Sequence, residues 1–331
     1  MSNFAKEAHL STTTLRHDVH MAATRDGYGT AITQLGAEQE SVVVLCADLT
    51  ESTRNNAFRD AFPERFIEMG IAEQNMAAVA AGLSLNGKIP FIATYAVFSP
   101  GRNWDQIRIS SCYNNANVKF IGAHAGISVG PDGGTHQALE DIALMRVLPN
   151  MTVLVPCDAI ETQKAVRAAA AKQGPVYIRI GRNPTPQFTT EKTPFAIGKA
   201  VTFKEGTDVA IIGAGPIMHS ALVAAHRLVE KGISCSVINL PSIKPIDEEA
   251  IERAAKTCRA IVTVEEHQIM GGVGSAIAET VSRTYPVPIE YIGMPNHFGE
   301  SGTPQELEKK YRMDVPAIEA AVQRVIKRKK I

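Results

Sequence analysis

The 331-residue chain has no charge excess. Thirty-four Lys and Arg balance thirty-four Asp and Glu, so no net field draws it to nucleic acid or to an anionic membrane surface. Paired cysteines are also missing. Cys46, Cys112, Cys157, Cys235 and Cys258 form no CxxC pair and meet no His cluster at zinc-finger spacing, which argues against a disulfide framework and against the common zinc sites. Reduced thiols in a cytosol are expected instead. No apolar run reaches the length of a membrane span, and the opening stretch MSNFAKEAHLSTTTLRHDVH lacks the apolar core of a signal peptide. These absences exclude nucleic acid and membrane as partners and place the protein in the cytoplasm. With 45% hydrophobic and 21% charged residues, the chain can bury a sizeable core and divide into two domains.

Short β-branched and apolar runs recur: SVVVLCADL, IPFIATYAVF, NVKFIGAHAG, MTVLVP and PVYIRIG. Each reads as a buried strand. Between them, RDGYGTAITQLGAEQ, THQALEDIALMRVL and AIETQKAVRAAAAKQ read as helices. So does the Ala-, Gly- and Met-rich segment after Glu73, which that composition predicts to be buried. The alternation predicts an α/β chain of two domains, each a mostly parallel sheet flanked by helices. Residues 183–197, rich in Pro and Thr, read as a linker. The expected division is a tail over 1–19, a first domain over 20–182, that linker, and a second domain over 198–331. The final KRKK reads as a solvated tail.

Two Gly-rich turns precede helices in the second half. In DVAIIGAGPIMHS, Met218 replaces the third glycine of a dinucleotide fingerprint, and SVINLPS offers no carboxylate for a ribose. A tight structural turn is the better reading. The turn in EEHQIMGGVGSAIAE could hold an anion at a helix start, but packing explains it as well.

Glu73 opens its helix in FIEMGIAEQNMAAVAAGL. One reading is a carboxylate gaining from the helix dipole, by about 0.3–1 kcal/mol. The other is a buried carboxyl facing a group that must gain or lose a proton, since apolar surroundings raise a carboxyl toward neutrality. Tyr95 and Phe98 are core aromatics or a stacking wall for a flat heterocycle. His124, Asp132 and His136 share HAGISVGPDGGTH, whose glycines suit close approach of a ligand to the backbone. Solvated histidines are the alternative, and the spacing fits no zinc pattern.

The order of these segments, FIEMGIAEQNMAAVAAGL, ATYAVFSPGRNWDQIR, GAHAGISVGPDGGTHQALEDIALMR and LPNMTVLVPCDA, resembles the pyrimidine-binding domain of transketolase from about Met21 to Arg182. Residues 198–331 resemble the C-terminal domain that follows it. The resemblance implies that Glu73 hydrogen-bonds the aminopyrimidine of thiamine diphosphate and promotes the imino tautomer that removes the thiazolium C2 proton. It implies an aromatic wall of Tyr95 and Phe98, with Asp48 and Leu49 lining the cofactor. It assigns His124 to the substrate phosphate and Asp132 to the hydroxyl beside the carbonyl. His136 falls to the hydroxyl or carbonyl oxygen at the reacting end, and Arg25, Ser52 and Arg182 to the phosphate. Arginine's planar fork suits that last task, although a single arginine is more often a surface charge.

The GDG motif, which in complete transketolases helps bind the divalent metal and diphosphate, does not occur in these residues. The resemblance therefore implies the C-terminal subunit of a split transketolase. Mg2+ or Ca2+ would be held mainly by an N-terminal partner subunit, in a closed assembly of two copies of each. The corresponding half of deoxyxylulose-phosphate synthase shares GIAEQ and DGxTHQ but has Arg in place of His124. The beta subunit of 2-oxo-acid dehydrogenases fits DGGTHQALEDIALMR less well. A non-catalytic assembly partner would need none of Glu73, His124, Asp132 and His136. A nucleotide-binding module would rest on GAGPIM alone. The expected activity is transfer of a two-carbon ketol unit from a ketose phosphate to an aldose phosphate.

Overall fold

The computed structural model describes residues 4–329. In chain order its main strands are β1 (Val42–Cys46), β2 (Phe66–Glu68), β3 (Ile89–Tyr95), β4 (Lys119–Ala123), β5 (Thr152–Leu154) and β6 (Val176–Arg179), then β7 (Val201–Lys204), β8 (Val209–Gly213), β9 (Cys235–Asn239), β10 (Ser242–Lys244), β11 (Ile261–Gln268) and β12 (Ile289–Met294). The longer helices are α1 (Thr24–Glu38), α2 (Glu73–Leu85), α3 (Ala159–Ala171), α4 (Met218–Val229), α5 (Glu248–Cys258), α6 (Val273–Arg283) and α7 (Val315–Lys329).

A seven-stranded sheet runs in the order β10-β5-β6-β4-β3-β1-β2, and a five-stranded sheet runs β12-β11-β8-β9-β7. Within the first, every pairing is parallel except β10 with β5. The second is parallel except for β7 against β9. Strand β1 shows why its sequence is apolar throughout: successive side chains point to opposite faces, and both faces are covered. Val43 and Leu45 pack with Met76, Ala77 and Ala80 of α2. Val42 and Val44 pack with Tyr28 and Ile32 of α1 and Val166 of α3. Strand β8 repeats the arrangement, with Ala210 and Ile212 facing α5 and α6 and with Val209 and Ile211 facing α4 and α7.

The two units share their cores. One apolar cluster runs from Met76 in α2 to Ile277 in α6. Two segments pack across the division between the units. Residues near the start dock on the second unit, where the Ala5 N–H donates to the Phe203 carbonyl at 3.0 Å and Ala8 is fully buried. Strand β10, from the second half, extends the first sheet. All five cysteines are buried free thiols.

Three local expectations change. Only Asp141–Arg146 of THQALEDIALMRVL is helical. The Gln137 side-chain amide donates to the carbonyls of Ile127, Gly130 and Glu300, and the Glu140 carboxylate accepts from the Leu139 N–H, which hold that stretch in a loop. Helix α2 is buried on one face only, since Gln74, Asn75 and Ala78 are exposed and so is Leu85. Lys327–Lys329 end α7 rather than forming a tail. There Arg328 pairs with Glu290 at 2.7 Å, and Lys330 lies outside the described residues. Among the described residues no helix is long and apolar enough to cross a membrane.

Candidate functional site

Parallel strands β2, β1, β3, β4 and β6 are neighbours in the first sheet, so their carboxyl ends open on one edge. Crevices at such edges are where α/β sheets bind ligands. Every expected site residue lies on a segment leaving one of these ends, except Arg25: Asp48, Leu49 and Ser52 follow β1, Glu73 follows β2, and Tyr95 and Phe98 close β3. His124 follows β4, with Asp132 and His136 beyond it, and Arg182 follows β6. Arg25 comes from the first turn of α1.

Glu73 is the first residue of α2 and is only 4% exposed. Its Oε1 accepts a hydrogen bond from Arg102 Nη1 at 3.0 Å, so its surroundings are not the purely apolar ones its helix implied. The Arg102 guanidinium lies over the Phe98 ring, 4.1 Å from the centroid. Phe98 stacks on Tyr95 at 5.7 Å and 11°, and Tyr95 stacks on His124 at 3.9 Å and 19°. His136 meets the edge of this series, 5.6 Å from Phe98 at 74°. A continuous run of flat groups therefore links Glu73 to His124.

Beyond His124 the site is cationic. Arg25 Nη1 lies 3.5 Å from His124 Nε2 and donates to the Ser52 carbonyl at 2.9 Å. Burial, reinforced by Arg25, Arg182 and Arg54, pushes the His124 imidazole down to about 3, so the ring is neutral. Burial and then Arg54 also lower Arg25, with Arg182 adding to the effect. His124 Nδ1 and Arg25 Nε are buried and have no hydrogen-bond partner among the described residues. Buried polar atoms are rarely left so, and a cationic pocket with idle donors suits an oxyanion. Arg182 donates to Asp132 Oδ1 and to the Val129 carbonyl, both at 3.0 Å.

Backbone conformation aims these groups. His124 and Asp48 both adopt left-handed backbone, with φ of 54° and 56°, which is uncommon for residues with a Cβ and clusters at functional sites. Glu68 fixes the loop after β1 by accepting from the N–H groups of Asp48 at 2.7 Å and Gly70 at 3.0 Å and from the Thr50 hydroxyl at 3.0 Å. Asp48 is left exposed and Leu49 half-buried. The loop carrying Asp132 and His136 is clasped by the second unit: the Glu266 carboxylate accepts from the Ser128 N–H, and Gln137 Nε2 donates to the Glu300 carbonyl at 2.9 Å. Gly126 and Gly133 have φ of 86° and 74°, and a Cβ there would come within 2.4 Å of the Glu266 carboxylate and 2.7 Å of Ser301 Oγ.

The structure thus brings Arg25, Ser52, Glu73, Tyr95, Phe98, His124, Asp132, His136 and Arg182 to one sheet edge, with Asp48 and Leu49 beside them. A cavity of about 260 Å³ between the units, lined by Glu266, Glu308 and His219, includes none of these residues. No group of three or more His, Cys, Asp or Glu side chains is arranged to hold a metal ion among the described residues.

Residues 20–187 match the transketolase pyrimidine-binding domain and residues 198–318 the transketolase C-terminal domain. The chain belongs to the transketolase family. It is 38% identical to the 6-deoxy-6-sulfo-D-fructose transketolase subunit of a Clostridium species, over 92% of this chain and 95% of that one. It is 37% identical to an apulose-4-phosphate transketolase subunit from Phocaeicola vulgatus, over 90% of this chain and 96% of that one. A solved split-gene transketolase, described as an inactive beta4 tetramer, superposes with a TM-score of 0.87 at 48% identity, over 92% of this chain and 98% of the other. This chain is a transketolase subunit, of the C-terminal kind, in a family that depends on thiamine diphosphate.

The residues present suit that cofactor's pyrimidine: a buried carboxylate at a helix start stands beside a stacked aromatic pair. Sequence reasoning missed Glu68, Arg54 and Arg102. Arg102 lies in a turn that its own N–H closes on the Phe98 carbonyl at 2.9 Å, a contact with no local signature in the sequence.

Proposed function

We propose that this subunit supplies the pyrimidine-binding and sugar-binding half of a two-chain ketol transferase. A two-carbon unit would pass from a ketose to an aldose, each carrying an oxyanion tail. When bound, thiamine diphosphate supplies the electron sink that allows the bond beside a ketose carbonyl to break. Glu73 moves a proton at the edge of the pyrimidine ring, while Phe98 and Tyr95 give that ring a face to stack on. Asp48 and Leu49 line the cofactor, His136 and Asp132 orient the hydroxyls at the reacting end, and neutral His124 presents an N–H. Arg25, Arg182 and Ser52 hold the tail. The observation that carries this reading is the unbroken stacked series from buried Glu73 to the cationic pocket at Arg25. A guanidinium pocket accepts phosphate and sulfonate alike, which accords with relatives named for a sulfosugar and for a sugar phosphate.

The relatives named as subunits support an N-terminal partner chain. That chain would hold the diphosphate with Mg2+ or Ca2+, in a closed assembly of two copies of each. Buried free thiols accord with a reducing cytoplasm, and ketol transfer between sugar phosphates would place the subunit among pentose phosphate reactions.

The test is ketol transfer from xylulose 5-phosphate to ribose 5-phosphate, with Mg2+ and thiamine diphosphate, for this chain alone and mixed with an N-terminal transketolase subunit. Turnover is expected only in the mixture. It should fall by about 10²-fold or more in Glu73→Gln, the usual span for a lost proton-transfer group. Turnover by the chain alone would overturn the two-chain reading.

A further inference from the structure

Arg102 has no part in the chemistry above, yet it holds two of that chemistry's contacts. Its Nη1 lies 3.0 Å from Glu73 Oε1, and its guanidinium carbon lies 4.1 Å from the centre of the Phe98 ring. The side chain is 49% exposed, whereas Glu73 is 4% exposed. A tight turn sets it there, closed by the hydrogen bond from the Arg102 N–H to the Phe98 carbonyl.

A guanidinium is flat, donates in its own plane and stacks on aromatic faces. An aminopyrimidine is also flat, carries an amino group in its plane and stacks in the same way. Both need one carboxylate edge and one aromatic face, and Glu73 and Phe98 provide them once. We propose that Arg102 is a stand-in for the pyrimidine. It covers Phe98 and satisfies the buried Glu73 carboxylate until the cofactor arrives, and its swing outward into solvent is a step of cofactor loading. The proposal rests on the thiamine diphosphate reading.

The contact is suited to yield. Arg102 is half in water, so the leaving guanidinium has solvent to enter, and the buried Glu73 carboxylate is not left unpaired because the arriving aminopyrimidine takes over its hydrogen bond. An occluded site lowers apparent affinity by the fraction of molecules that are open. If about one molecule in ten is open, removing the stand-in tightens binding about tenfold.

Calorimetric titration of thiamine diphosphate with Mg2+ into this chain assembled with an N-terminal transketolase subunit tests the idea, together with the association rate by stopped flow. Arg102→Ala should bind about tenfold more tightly and associate faster than wild type. The gain should shrink when Glu73→Gln is already present, because the carboxylate that anchors the stand-in is gone. Wild-type melting behaviour in Arg102→Ala, followed by circular dichroism, separates this from a folding effect. Unchanged or weaker binding in Arg102→Ala would overturn the proposal and leave the functional reading standing. No binding by any assembly, wild type included, would overturn both.

Discussion

His124 is neutral in the folded chain because burial, and then the charges of Arg25, Arg182 and Arg54, oppose its cation. The ring takes a proton near 6.5 when unfolded but only near about 3 when folded, so across that window the unfolded chain binds the extra proton. Its contribution to stability is complete above the unfolded value and is lost as pH falls toward the folded one, with a slope of at most about 1.4 kcal/mol per pH unit. Urea unfolding of wild type and His124→Asn at pH 7 and pH 5 should show a smaller acid loss in the variant. An equal loss would mean that other groups carry it. At this scale, the residues legible in the sequence are those that lie in contiguous motifs, such as Glu73 in GIAEQ and His136 in DGGTHQ. Glu68 and Arg54 escaped because their importance lies in contacts between segments far apart in the chain: Glu68 with the loop at Asp48, and Arg54 in the field around Arg25.

The start of α3 is secured by one fully buried side chain. Asp158 caps the helix by accepting from the Glu161 N–H at 2.9 Å, and it also accepts from the N–H groups of Phe188 and Thr189 at 3.0 and 2.7 Å and from the Thr189 hydroxyl at 2.7 Å. Asp158→Ala would lose the cap and leave buried donors without partners, a cost of about 3 kcal/mol or more, measurable as a lower urea midpoint. A loss under about 1 kcal/mol, the size of a simple exposed cap, would show that Phe188 and Thr189 find other acceptors. Strands were the legible elements. The run SVVVLCADL announced β1 because a strand covered on both faces needs no polar alternation. Helix ends were less so. In THQALEDIALMRVL the apolar spacing is helical throughout, but the Gln137 amide is committed to carbonyls of two different loops, which no local pattern reveals.

At the scale of the whole molecule, composition and alternation made two α/β units readable, and nothing in either signal showed that the units share a core. The residues from 183 to 197 read as a linker in sequence, yet Thr185–Pro186 pairs with Met21–Ala22 and Phe188 is fully buried. Exposed positions there include Glu191 and Lys192. Limited proteolysis at that point should produce two fragments that co-elute in native gel filtration and part only in denaturant. Fragments that elute separately would contradict the packing of the two units. Strand β10 turns this into a rule about where the chain can be broken. Because Ser242–Lys244 covers the edge strand Thr152–Leu154 of the other unit's sheet, a cut in the linker leaves a stapled particle. Deleting everything after the linker would instead bare an edge ready to pair with another chain. The covalent connection is thus dispensable where the noncovalent one is not, and the natural seam for fragment complementation or circular permutation runs through the linker.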